Sequence, residues 1–140
     1  MDPRDGMRDL GTLGQTESRG NGINALGQVT GVLATKSGWT RAFRWSPCGG
    51  MQDLGTFGGP AAFAVAINAS GQVTGGAYTN NSDLLAFRWT PGGGLKNLGM
   101  LGGTNSYGRA VNDLGQVTGG ADTKNGSLHA FRYTAQNTRR

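Results

Sequence analysis

Nucleophilic catalysis needs a reactive atom with a base beside it, and this chain offers one candidate of each. Cys48 is its single cysteine and His129 its single histidine. A thiolate nucleophile also needs a third group to orient the histidine, and nothing in the sequence pairs these two residues. A lone cysteine leaves no internal disulfide and excludes metal clusters built on thiolates. The eight acidic residues form no convincing acid/base pair. Asp9 and Asp53 share one position of an internal repeat where the third copy has Asn97, a pattern that suits a turn or a backbone hydrogen bond better than proton transfer. Asp122-Thr123-Lys124-Asn125-Gly126 has the composition of a calcium loop but lacks the spaced ligands and the closing glutamate. The expectation is a chain that is not an enzyme and carries no cofactor or metal.

Binding chemistry is better represented. Trp45, Trp89 and Tyr133 fall at one repeat position, Asn24, Asn68 and Asn112 at another, and Gln28, Gln72 and Gln116 at a third. Large aromatics usually build the core of a β fold, but three exposed, equivalent rings would suit sugars. The asparagines begin an Asn-x-x-Gly turn in which the side-chain oxygen can accept from the backbone two residues on. Arg44, Arg88 and Arg132 share a further position, where they can stack on aromatics or bridge one copy to the next. Positions that differ between copies are the better carriers of specificity. They cluster in three polar loops, at 35–40, 79–83 and 122–127, and Trp39 is the one aromatic among them. The candidate ligand-binding set is therefore Trp39, Trp45, Trp89, Tyr133, Asn24, Asn68 and Asn112.

These residues are positioned by a repeat of 44 residues that runs without insertion through a single domain, with units at about 7–50, 51–94 and 95–138. Asp9-Leu10-Gly11, Asp53-Leu54-Gly55 and Asn97-Leu98-Gly99 align, and Gly27-Gln28-Val29-Thr30-Gly31 recurs letter for letter at 71–75 and 115–119. Glycine, 27 of 140 residues, keeps fixed places and so marks turns rather than disorder. In the second copy, Ala62–Ile67, Gln72–Tyr78, Leu84–Thr90 and Leu95–Leu98 read as four strands. Leu85, Phe87 and Trp89 share one face of the third strand, and Ala86 and Arg88 the other. No stretch shows helical periodicity with caps. The fold class expected is all-β, with three four-stranded β-propeller-type blades or, alternatively, a closed three-fold β-trefoil or β-prism. The last unit stops short of its fourth strand, while the chain opens with a spare one. Exchange of these strands between two chains would make a homodimer that completes a six-bladed ring.

The units resemble the HAF repeat, a probable extracellular repeat of bacterial proteins named for His-Ala-Phe. Three ordered motifs carry the resemblance, in the second copy Asp53 to Gly59, Ile67 to Gly75 and Ala86 to Trp89, and it covers about residues 7–134. The departures are that only the third copy keeps the histidine, as His129, that Gln15 follows Gly14 where a second glycine is usual, and that Tyr133 replaces the tryptophan. The resemblance implies a repeat array, often within longer exported proteins, and no established activity.

The net charge of +5 comes with no long basic run. Four of the thirteen basic residues are Arg4, Arg8, Arg139 and Arg140 near the ends, and three more hold the repeated arginine position. Nucleic-acid binding, which wants a concentrated basic surface, is therefore not expected. No window reaches the roughly 18 apolar residues of a membrane span, and Met1-Asp2-Pro3-Arg4 begins no signal peptide. The compartment stays open between that and the extracellular setting the resemblance implies. The reading is a non-enzymatic repeat module that presents loops to a protein or cell-surface partner, with a lectin-like domain of three equivalent sites as the alternative.

Overall fold

The structure, a computed structural model, describes residues 6–135. Arg4, Arg139 and Arg140 lie outside the described residues. Eleven strands and no helix occur among those described. The first sheet runs β1 (Glu17–Ile23), β2 (Val29–Ala34), β3 (Thr40–Ser46), β4 (Gly50–Asp53), each strand antiparallel to the next. The second repeats it as β5 (Gly58–Ile67), β6 (Val73–Thr79), β7 (Leu84–Thr90), β8 (Gly94–Asn97). The third has β9 (Gly102–Val111), β10 (Val117–Thr123) and β11 (Leu128–Tyr133), with no fourth strand among the described residues.

Local chemistry explains the repeated hairpins. At the Asn-x-x-Gly turn of the second unit, Asn68 N–H donates to the Gln72 carbonyl (3.0 Å) and Gly71 N–H to the Asn68 carbonyl (3.1 Å). The turn closes through Gly71 at φ +81°, and Gly27 and Gly115 take the same conformation, which a residue with a Cβ adopts only at a cost. Within each sheet a threonine ties neighbouring strands, Thr74 Oγ1 donating to the Phe87 carbonyl at 2.6 Å and Thr30 to that of Phe43 at the same distance.

The sheets stack in a row. β5 packs against β1, β2 and β3, and β9 against β5, β6 and β7. One core fills the first seam, joining Ala42 and Leu54 from the chain ahead of β5 to Ala62, Val73, Phe87 and Trp89 of the second unit. β7, in the middle of the row, is covered on both faces: Leu85, Phe87 and Trp89 are buried on one side and Ala86 on the other. Small residues allow the sheets to approach, since a Cβ on Gly108 would collide with Thr74 Oγ1 of the preceding unit. No seam of this kind joins the first sheet to the third. The described residues thus form an open row, not the closed three-fold arrangement of a trefoil or prism. The reason is that every ladder pairs strands consecutive in the chain, so the sheets meet face to face and nothing among the described residues turns the third sheet back onto the first. The first strand of the second unit also begins earlier than its apolar run, at Gly58 rather than Ala62. Gly58, Gly59 and Pro60 have no apolar alternation to announce a strand.

Candidate functional site: the seams between units and the loop tips

The repeated polar residues converge on the seams. Asn24 Oδ1 accepts from the N–H groups of Leu26 (3.1 Å) and Gln28 (3.0 Å), and its Nδ2 donates to Gln28 Oε1 (2.7 Å) and across the seam to the Asn68 carbonyl (2.8 Å). Asn68 repeats the set with Ser70, Gln72 and the Asn112 carbonyl, the last again at 2.8 Å. Two donors and two acceptors exhaust an amide side chain, so Asn24 and Asn68 have nothing left for a ligand. Asn112 holds its own turn and Gln116 in the same way but makes no bond into a following unit among the described residues.

The arginines reach across the same seams. Arg44 lies 4.8 Å from the centre of the Trp89 ring and Arg88 5.7 Å from that of Tyr133, each on the aromatic of the next unit. Their Nη1 atoms approach the next turn, Arg88 donating to the Gly115 carbonyl at 3.0 Å and Arg44 to that of Gly71 at 3.5 Å. Nε of both arginines is buried without a partner, a cost that stacking on the ring offsets in part. Burial lowers the Arg44 pKa from its ordinary value, yet a guanidinium keeps its charge in proteins. Arg41 pairs with Asp53 at 3.0 Å. These basic groups are engaged within the fold.

The aromatic candidates are therefore not equivalent. Trp89 is 5% exposed beneath Arg44, whereas Trp45 and Tyr133 are half-buried. Trp45 belongs to the first unit, where no described arginine stacks on it. Trp39 is 51% exposed, at the tip of the β2–β3 hairpin closed by Thr35 and Trp39. The matching hairpins at 79–83 and 123–127 share that geometry but carry no aromatic. Ser82 sits there at φ +70°, where Gly38 and Gly126 stand in the other two loops.

The two candidates for nucleophilic catalysis lie on different sheets. Cys48 is exposed in the β3–β4 turn of the first sheet and His129 is on β11 of the third. No group of three or more His, Cys, Asp or Glu side chains gathers among the described residues. Open grooves lie at the two ends of the row. One of about 360 Å³ runs over the outer face of the third sheet, lined by Val111, Asn112, Gln116, Val117, Thr118 and Arg132. Another of about 650 Å³ lies on the first sheet, between Met7, Leu10, Ser18, Gly20, Phe43 and Met51.

Sequence reasoning missed one seam residue. Ser106 Oγ accepts from Ala86 N–H (2.8 Å) and donates to the Gly99 carbonyl (2.8 Å). Its equivalents are Ala62 and Ser18, and this variation hid it. No protein-family model, no curated protein and no solved structure matches this chain. No helix of the described residues is long and apolar enough to cross a membrane.

Proposed function

We propose that the chain is a non-enzymatic repeat module of the HAF kind, its sheets serving as propeller-type blades, which presents the β2–β3, β6–β7 and β10–β11 hairpins to a protein or cell-surface partner. The observation that carries this reading is the saturation of Asn24 and Asn68, each with its hydrogen bonds committed within the fold. The constant polar residues hold the units together, and the chemistry that varies from copy to copy stands at exposed hairpin tips. Trp39 is the natural anchor there, because an exposed aromatic gives large contact area at low entropic cost.

The test compares the wild-type chain with Trp39→Ser and with a variant whose three hairpin tips are all replaced by the sequence Thr-Asn-Asn-Gly-Ser. Retention on fixed bacterial cells, lost in the triple replacement and reduced in Trp39→Ser at unchanged circular dichroism, supports the module. Equal retention of all three chains, or none by the wild type, overturns it. A glycan array run alongside, with tryptophan fluorescence as the second readout, examines the lectin-like alternative through Trp39 and Trp45, the two tryptophans not closed over by an arginine.

A further inference from the structure

The two ends of the row carry the two halves of one seam. On the third sheet, Thr118 and Ala130 are exposed, although their equivalents Thr30, Thr74, Ala42 and Ala86 are fully buried. On the first sheet, Ser18 is exposed, although Ala62 and Ser106 at the same position are 0% and 1% exposed. Each end also lacks what the other offers. The third sheet has no fourth strand among the described residues, and Gly6–Asp9, the counterpart of β4 and β8, pairs with no strand.

That free segment is already set in its working geometry. Asp9 Oδ1 accepts from Gly11 N–H at 2.8 Å, as Asp53 does from Gly55 at 2.9 Å and Asn97 from Gly99 at 2.8 Å. Ser18 Oγ donates to the Gly11 carbonyl at 2.7 Å, the same bond that Ser106 makes to Gly99. In the interior seam the Ser106 hydroxyl also accepts from Ala86 N–H. The Ser18 hydroxyl keeps that acceptor position open, and Ala130 N–H is its counterpart donor.

We infer that the outer face of the third sheet binds the first sheet of a second copy of this chain, head to tail, by the interactions that join the second unit to the third. Moved on by one repeat, the stack of Arg88 on Tyr133 becomes Arg132 on Trp45 of the second copy, and the bond from Arg88 to Gly115 becomes Arg132 to Gly27. The bond from Asn68 to the Asn112 carbonyl becomes one from Asn112 to the Asn24 carbonyl. The second copy's Met7–Asp9 then lies along β11 as a fourth strand, with Leu10 N–H on the Ala130 carbonyl, as Leu98 N–H is on that of Ala86 at 3.0 Å. Asn112, the repeated asparagine with a donor to spare, stands at the end where the next carbonyl arrives. One bond has no counterpart: Asp113 accepts from Ala69 N–H in the interior seam, and Ala25 stands in its place. Where Asn105 accepts from Leu84 N–H, Glu17 supplies a carboxylate facing Leu128. The two end grooves, lined in part by Asn112, Thr118 and Arg132 on one side and Ser18 and Gly20 on the other, are the surfaces that meet. This contact is heterologous, so it closes a ring or extends a row. It rests on the seams and is independent of what the hairpins bind.

The experiment is the solution mass of the full chain by light scattering across a concentration series, with two blocked variants. Ala130→Arg places a charge on the tail face, and Ser18→Arg places one on the head face. Wild type is expected at a multiple of the 14.5 kDa chain, and each variant alone at the mass of one chain. Mixed, Ala130→Arg offers a free head and Ser18→Arg a free tail, so the pair is expected to form a species of two chains and no larger. Formation of that species also shows that both variants fold. Arg132→Glu, at an exposed position, is expected to raise the dissociation constant about tenfold or more. Wild type at the mass of one chain throughout overturns the inference. So does association that the variants leave unchanged, or a mixture of the two that stays at the mass of one chain.

Discussion

The second and third sheets are written in nearly the same letters and live in different surroundings. Thr74, Ala86 and Phe87 are fully buried in the second, whereas Thr118 and Ala130 are exposed and Phe131 is half-buried in the third. Arg88 is folded down on Tyr133, and Arg132 stands exposed. The Asn68 side chain makes four hydrogen bonds and that of Asn112 three. The difference lies in the neighbour: Thr118, Ala130 and Arg132 face outward with no following unit among the described residues, while Phe131, which faces the second unit with Tyr133, lacks beside it the fourth strand that Phe87 has in β8. Each unit finishes its core on the face of the next, so one residue type is core in the middle of the row and surface at its end. Constant residues such as Asn24, Asn68 and Arg88 serve the seam.

Five substitutions probe that contrast. Phe87→Ala should destabilise the chain by about 4 kcal/mol, because it empties a fully enclosed site. Phe131→Ala should cost about half as much, its ring being partly in water already. Urea denaturation of both variants measures the gap, and equal losses would mean that the two sheets are equally enclosed. The turn glycines come next. A Cβ on Gly71 would add the strain of φ +81° and would also lie 2.6 Å from Arg44 Nη1. A Cβ on Gly27, at φ +78°, would find Pro47 at an unstrained 3.9 Å. Gly71→Ala should therefore cost about 2–3 kcal/mol and Gly27→Ala about 1. If thermal melts separate them in the opposite order, the arginine is not held against the turn. The smallest effect is expected at a loop tip. Ser82→Gly relieves the left-handed φ of +70° and should stabilise by about 0.5 kcal/mol after the entropy of the added glycine is subtracted. A fall in the melting temperature would show that the serine is held there by something other than its turn.

Much of the fold was legible in the residues. Leu84–Thr90 is a strand within the same limits that its alternation gives, and the Asn-x-x-Gly turns close as their glycines require. Both signals are local, set by side-chain period and by a single φ. The role of the arginines was legible only as a choice between stacking and bridging. Arg44 does both at once, since its aromatic is Trp89, in the next unit and far along the chain. Ser106 was not legible, because alanine serves at the same position in the second unit. The sequence reading expected propeller-type blades and kept the closed three-fold forms as the alternative, for nothing in a repeat period states how its units meet.

By itself the sequence determined the strands, the hairpins and a unit whose apolar face needs a partner, because these depend on neighbours a few residues away. Only the tertiary structure decided that the units stack in an open row, that Arg44 and Asn24 serve the following unit, and that Thr118, Ala130 and Arg132 of the third sheet are exposed. The physical reason is that burial is a property of surroundings. Identical letters in three copies cannot state which of them has a neighbour, and only their places in the row do.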